Sequence, residues 1–168
     1  MPESTVVRTK RDGQIAYLDA GGVNSYTVAY ETGDFSLDVP DTAISLYLDR
    51  GVIGTTPSIR KGDEGPMTFS HTAYLRDVAD PAAAHATLLD VCHQYAGAYV
   101  IANWTSTIGN SSDVVTWTTT LTIDGSAFGE SDRTLTLNYS VPRASLSEGD
   151  PDTVNVSGTS YQKLPVLT

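Results

Sequence analysis

The strongest constraint on this chain is an alternation of apolar and polar side chains, of period two, that returns in one short run after another. Residues 114–125 read VVTWTTTLTIDG. In an extended strand, successive side chains point to opposite faces. Thr116, Thr118, Thr120 and Thr122 therefore share one face; Val115, Trp117, Leu121 and Ile123 share the other, with Thr119 as a polar intruder. RTLTLNYSVPR (133–143) repeats the pattern, setting Leu135, Leu137, Tyr139 and Val141 against Thr134, Thr136, Asn138 and Ser140.

The same period marks most of the chain. QIAYLDAG (14–21) reads as a strand that ends in a Gly21-Gly22 turn. Tyr26, Val28 and Tyr30 form one run and Phe35, Leu37 and Val39 the next, with Gly33 between them as a tight turn or a bulge. Ile44, Leu46 and Leu48 alternate, as do Met67, Phe69, His71, Ala73 and Leu75. AYVIANWTSTIG (98–109) and TVNVSGTSYQ (153–162) read as further strands. Between 49 and 66 lies DRGVIGTTPSIRKGDEGP, with four glycines and two prolines, longer than a two-residue hairpin turn needs. It reads as a long extended loop.

The spacing predicts one helix, over 81–96. Asp80 can cap it, Pro81 suits the first helical position, and Gly97 suits the residue just past its end. Ala84, Leu88, Val91, Cys92 and Tyr95 form its apolar stripe. The expected architecture is mainly β: an antiparallel β-sandwich or barrel-like sheet with one flanking α-helix and a long extended loop. A parallel α/β fold would need several crossover helices. Residues 1–13 read as an N-terminal arm, 14–162 as the β domain and 163–168 as a C-terminal tail.

Charge narrows the function classes. The chain of 168 residues, enough for one hydrophobic core, carries 20 acidic and 10 basic side chains, a formal net charge of −10. Such a surface repels DNA and anionic membranes, which argues against a nucleic-acid-binding module. It suits a protein that DNA must pass without sticking. Cys92 is the single cysteine, so no intramolecular disulfide is possible. No apolar stretch follows the basic residues of 1–13, so no signal peptide is expected, nor any membrane span. The expected site of synthesis and folding is the cytosol.

No catalytic, cofactor or metal site is expected. His85 and His93 are eight residues apart, not the three or four of a helical metal pair, and His71 is distant in sequence. Asp124, Glu130 and Asp132 crowd one loop, and Glu148, Asp150 and Asp152 another, without calcium-loop spacing; both read first as solvated turns. Phosphate-binding, dinucleotide and nucleophile-elbow motifs are absent. Cys92 falls on the apolar stripe and reads as a small buried hydrophobe.

The threonine faces allow two explanations. Threonine favours strands, and solvated sheet faces often use it. An ordinary solvated face, however, usually includes Lys or Glu. A face of Thr, Ser and Asn also suits the wall of a conduit along which a charged polymer slides.

Two longer segments resemble a known family. LDRGVIGTTPSIRKGDEGPMTFSHTAYLRD (48–77) is similar to the strand, Gly-rich charged loop and following strand of tail tube (major tail) proteins of long-tailed bacteriophages. LTIDGSAFGESDRTLTLNYSVPRASLSEGDPDTVNVSGTSY (121–161) resembles the family's C-terminal half, in its DG…G…D loop, its LTL strand and its SEGDPDT turn. The resemblance implies a tail-tube β fold and hexameric rings stacked into a tube. Such a tube encloses the tape measure protein, meets terminator and distal tail or baseplate proteins, and conducts double-stranded DNA. It implies a place in the virion tail after assembly in the host cytoplasm. Residues 49–66 would correspond to the loop that reaches a neighbouring subunit or ring, with Asp49, Arg50, Ile53, Ile59, Arg60, Lys61, Asp63 and Glu64 as contact candidates. The strands holding Thr116, Thr118, Thr120, Thr122, Thr134, Thr136, Asn138 and Ser140 would be candidates for the lumen or ring-forming sheet.

A tail terminator or completion protein of related fold is the nearest alternative, followed by a virion decoration protein. A carbohydrate-binding β-sandwich is a further one, with Tyr26, Tyr30, Tyr47, Tyr74 and Trp104 as aromatic platforms.

Overall fold

The computed structural model describes residues 13–28, 33–41, 44–47, 58–62, 65–76, 85–93, 99–108, 115–125 and 131–168. Among them the elements run β1 (Gly13–Leu18), β2 (Ser25–Thr27), β3 (Ser36–Asp38), β4 (Ile44–Tyr47), β5 (Ser58–Lys61), β6 (Met67–Tyr74), α1 (Leu88–His93) and α2 (Tyr99–Asn103). They continue with β7 (Trp117–Ile123), β8 (Arg133–Ser147), β9 (Thr153–Ser160) and β10 (Val166–Leu167). The strand pairs are antiparallel. The fold is a mainly antiparallel β-sheet domain with two short helices. The main sheet follows the order β2-β1-β7-β8-β9-β6-β3, with β10 also on β8, and β4 and β5 form a separate two-stranded ladder.

β8 organises the sheet. Its first part pairs with β7, from Arg133↔Ile123 to Ser140↔Trp117. Its second part pairs with β9, from Ser140↔Ser160 to Ser147↔Thr153. At the handover the ladder is irregular: one β7 residue, Thr118, lies opposite Asn138 and Tyr139, between the Thr119↔Leu137 and Trp117↔Ser140 pairs. Tyr139 takes φ 55°, left-handed backbone that costs a non-glycine residue about 1–2 kcal/mol. Such a bulge bends a strand and adds twist.

The bend lets the sheet curl onto itself. Tyr17 on β1 and His71 on β6 are separated along the ladder by β7, β8 and β9, yet the Tyr17 hydroxyl lies 2.8 Å from His71 Nε2. Ile15, Tyr17, Met67, Phe69, Ala73, Trp117, Leu137, Val154 and Val156 fill the space within the curl. The helices add Leu88, Leu89, Val91, Cys92, Val100 and Trp104. Trp117 donates from Nε1 to the Val91 carbonyl (3.1 Å) and meets Trp104 edge-on at 5.3 Å. That satisfies the indole N–H while both rings are buried. α1 packs on β8, and Arg143 donates to the Cys92 carbonyl at its C-terminal end (3.4 Å), where helical carbonyls lack intrahelical partners.

Several sequence expectations change. Residues 85–87 are not helical, and α1 begins at Leu88. Its cap is Thr87: the Asp90 N–H donates to Thr87 Oγ1 (3.3 Å) and the Thr87 N–H to Asp90 Oδ2 (3.2 Å), a reciprocal capping box. Asp80 and Pro81 lie outside the described residues. The strand expected over 98–109 contains α2 instead. Val100 and Trp104, four apart, are both buried, and the Trp104 N–H donates to the Val100 carbonyl (2.8 Å).

Gly33, at φ 65°, does not join neighbouring strands, since β2 and β3 lie at opposite ends of the main sheet path. Within the loop expected over 49–66, residues 58–61 form β5, which pairs with β4 from Ile44↔Lys61 to Tyr47↔Ser58. The expected C-terminal tail is partly a strand: β10 pairs with Leu135 and Thr136, and Thr168 and Thr134 exchange both backbone hydrogen bonds.

Candidate functional site

Among the described residues, one uniform feature is the outward face of β2, β1, β7, the first part of β8, and β10. Directly opposed residues of an antiparallel ladder share a face. One row across the strands reads Ser25, Leu18 and Thr118, and Thr118 donates from its hydroxyl to Asn138 Oδ1 (3.2 Å). The next reads Thr27, Ala16, Thr120, Thr136 and Val166. The third reads Gln14, Thr122, Thr134 and Thr168. No Asp, Glu, Lys or Arg stands at any of these positions, although the chain carries a net charge of −10.

The threonines of β7 and β8 on this face are half-buried by their neighbours, while Gln14, Ser25, Thr27 and Thr168 are exposed. Branching at Cβ restricts threonine rotamers, so the face has few mobile arms. Thr120 also ties its hydroxyl to the Ala16 carbonyl (3.3 Å). The backbone around Asn138 is fixed as well: its N–H donates to Gln162 Oε1 (2.7 Å), and its carbonyl accepts from Ser160 Oγ (2.7 Å).

Two residues assigned to this face from sequence do not lie on it. Thr116 precedes β7 and is fully buried. Its hydroxyl lies 2.7 Å from Thr107 Oγ1 and accepts the Ile108 N–H (3.1 Å), anchoring the segment that follows α2. Ser140 is fully buried and donates to the Leu137 carbonyl (2.8 Å), closing the bulge from inside. The extra residue at the bulge reverses the face parity of β8: Leu137 and Ser140 both point inward, while Tyr139 is 42% exposed. Thr118, Thr120, Thr122, Thr134, Thr136 and Asn138 remain together. Thr119, between Tyr17 and Leu137 on the core side, is buried with no hydrogen-bond partner for its hydroxyl.

The loop candidates are less fully placed. Ile59, Arg60 and Lys61 sit on β5, opposite Leu46, Ser45 and Ile44. Asp49, Arg50, Ile53, Asp63 and Glu64 lie outside the described residues.

The outward face of β3, β6, β9 and the second part of β8 is different. A shallow trough there is lined by Ser36, Thr68, Ser70 and Ser157 but also by Asp38 and Arg143. Hydroxyls again dominate, but both signs of charge are present.

Burial and local hydrogen bonds set the state of the ionisable groups described in the interior. Burial pushes the Cys92 thiol well above its ordinary range, against the pull of Arg143, which makes it a poor nucleophile. Burial likewise lowers His71 to about 4, opposed by Asp34. Burial raises the Asp19 carboxyl, but hydrogen bonds involving Asn24, Thr105 and Val23 outweigh it and hold the group below its usual value. Asp19 thereby closes the β1–β2 turn, where Gly22 at φ 63° donates its N–H to the Asp19 carbonyl (3.1 Å). Asp132 accepts the Gly125 N–H and Asp152 the Gly149 N–H, so both carboxylates close their own loops. Among the described residues, no group of three His, Cys, Asp or Glu could hold a metal ion, and no helix is long and apolar enough to cross a membrane.

The proposed aromatic platforms fare poorly. Trp104 is buried and Tyr26 and Tyr74 are half-buried, whereas the Tyr30 residue and the Tyr47 side chain lie outside the description. Among the described residues the exposed aromatics are instead Tyr139 and Tyr161, and Leu164, Val166 and Leu167 are exposed nearby in sequence and on β10. The expectation of a tail over 163–168 overlooks this apolar group, whose sequence signal is the LPVL run.

No protein-family model matches the chain, and no curated protein matches it.

Proposed function

We propose that this chain is a structural subunit that assembles with copies of itself into stacked rings, forming the tail tube of a long-tailed bacteriophage. The observation that carries the reading is the uncharged, hydroxyl-rich face spanning β2, β1, β7, β8 and β10 on a protein of net charge −10. A bore that conducts double-stranded DNA must neither bind phosphate nor present long side chains that snag it. Thr118, Thr120, Thr122, Thr134, Thr136 and Asn138 meet both demands. The other outward sheet face, with Asp38 and Arg143, meets them less well.

Self-association needs somewhere for two acidic molecules to touch. Tyr139, Tyr161, Leu164 and Leu167 supply exposed apolar side chains without carboxylates. Ring closure would also cover sheet edges that each copy leaves open. In this role the tube would enclose the tape measure protein and contact terminator and distal tail proteins. The resemblance over 48–77 and 121–161 supports the same reading. A terminator or completion protein is the second reading, since the same edges and apolar strip would serve a single capping ring.

Negative-stain microscopy across a concentration series tests the proposal. Hollow tubes with an axial repeat are expected on concentration, and isolated rings would favour the second reading. A monomer at every concentration, by sedimentation, would overturn both. A Thr120→Arg variant tests the face itself: its tubes should retain DNA at low salt, and wild-type tubes should not.

A further inference from the structure

The two halves of the main sheet face each other across the core, where the Tyr17 hydroxyl of β1 meets His71 Nε2 of β6 at 2.8 Å. Their outward faces therefore look in opposite directions. On the side of β3, β6, β9 and the second part of β8, two adjoining cross-strand rows form the shallow trough. One row reads Asp38, Thr68, Thr159 and Val141. The next reads Ser36, Ser70, Ser157 and Arg143. The three serines are short and exposed, whereas Asp38 and Arg143 stand as longer charged walls on the flanking strands. Three interstrand steps separate β3 from β8, about 14 Å. The hollow has a volume of about 380 Å³, within the range of small-molecule sites. A second hollow of about 210 Å³ shares Ser70 and Ser157 with it and extends it along the strands towards Thr72 and Asn155.

We propose that this trough binds an acidic saccharide, with its carboxylate on Arg143 and its hydroxyls on the serine and threonine rows and on Asp38. Each part of the trough selects one part of such a ligand. Arg143 donates to the Cys92 carbonyl (3.4 Å), which restrains the guanidinium and leaves further N–H donors for a carboxylate. Hydroxyl side chains both donate and accept, so a floor of them pairs with ligand hydroxyls in either role. A carboxylate only accepts, so Asp38 takes a ligand hydroxyl and repels a second acid group. The ligand's charge therefore belongs at the Arg143 end. All these side chains stand on strands, whose ladders hold them in fixed register. If the Thr120 face lines a bore, the trough looks out from the tube and recurs in every copy, so that weak single sites add up. That placement rests on the tube reading; the site itself does not.

Saturation-transfer NMR, which observes the ligand, reads binding to the full chain whether or not tubes form. A trimer of galacturonic acid should bind. Maltotriose, a neutral trimer, should bind at least about tenfold more weakly, and Arg143→Gln should weaken the acidic trimer by a similar factor. Ser157→Val, which sets methyl groups on the floor of the trough at a position that suits a strand former, should also weaken it, and it serves if Arg143→Gln does not fold. No binding of the acidic trimer at millimolar concentration, equal binding of maltotriose, or full affinity in either variant would overturn the proposal. Triglutamate binding as tightly as the acidic trimer would overturn the saccharide assignment in favour of an acidic peptide.

Discussion

The two parts of β8 differ in a way that explains much of this molecule. Residues 133–138 lie between β7 and β10 and send Thr134, Thr136 and Asn138 outward onto an uncharged face. Residues 140–147 pair with β9 and send Ser140 inward and Arg143 outward. Apolar residues stand at odd positions through Val141 and at even positions from Pro142, so the phase changes close to the bulge. The difference arises from a single extra residue in the ladder, taken up by Tyr139 in left-handed backbone. A strand's polarity pattern is thus reliable only as far as the next bulge, and here the bulge separates the uncharged face from the charged one.

The largest test concerns the β9 side. A Cβ on Gly158 would lie 2.2 Å from Phe69 Cζ, with the ring seated directly over the glycine. Gly158→Ala should cost about 3 kcal/mol in urea unfolding, and pairing it with Phe69→Leu should recover part of that loss. Full stability in the single variant would show that the Phe69 side of the sheet is loosely packed.

Acid should act next most strongly. The folded-state pKa of His71 lies below its ordinary value, so the unfolded chain takes up the proton first. Stability should be full above pH 6.5, fall as pH drops from 6.5 to about 4, and level off for this group below that. The ceiling is roughly 3 kcal/mol. Chemical denaturation at several pH values checks it, and a flat profile over that window would break the contrast between a sealed interior and a wet face.

Smaller effects probe the bulge and the strand beside it. Tyr139→Gly should raise stability by about 1 kcal/mol, because glycine adopts the left-handed region freely. A loss instead would mean that the tyrosine ring contributes more than its backbone costs. Thr119→Val should be neutral or stabilising by up to about 1 kcal/mol, since it removes a buried hydroxyl with no partner. The smallest effect is expected on the outward face, where Thr122→Ser should change stability by less than about 0.5 kcal/mol.

The sequence carried the class of fold and the six face residues that stayed together, because alternation over β7 and the first part of β8 follows directly from strand geometry. It also carried the Gly21-Gly22 turn and the burial of Cys92. It misassigned Thr116, which precedes β7 and is held inward by hydrogen bonds to the segment after α2, and Ser140, which the extra residue of the bulge turns inward. It also misread α2, where the Val100–Trp104 spacing was outweighed by the strand-like composition around it.

Local chemistry alone determined that this protein would be built of short antiparallel strands and that much of its polar surface would be hydroxyl rather than charge. The alternation and the choice of residues are written one position at a time. Tertiary structure decided where β8 bends, which strands end at the sheet's edges, and that Tyr17 would meet His71. Those outcomes depend on contacts between residues 54 positions apart and on one inserted residue in a ladder, and no short window of sequence holds both partners.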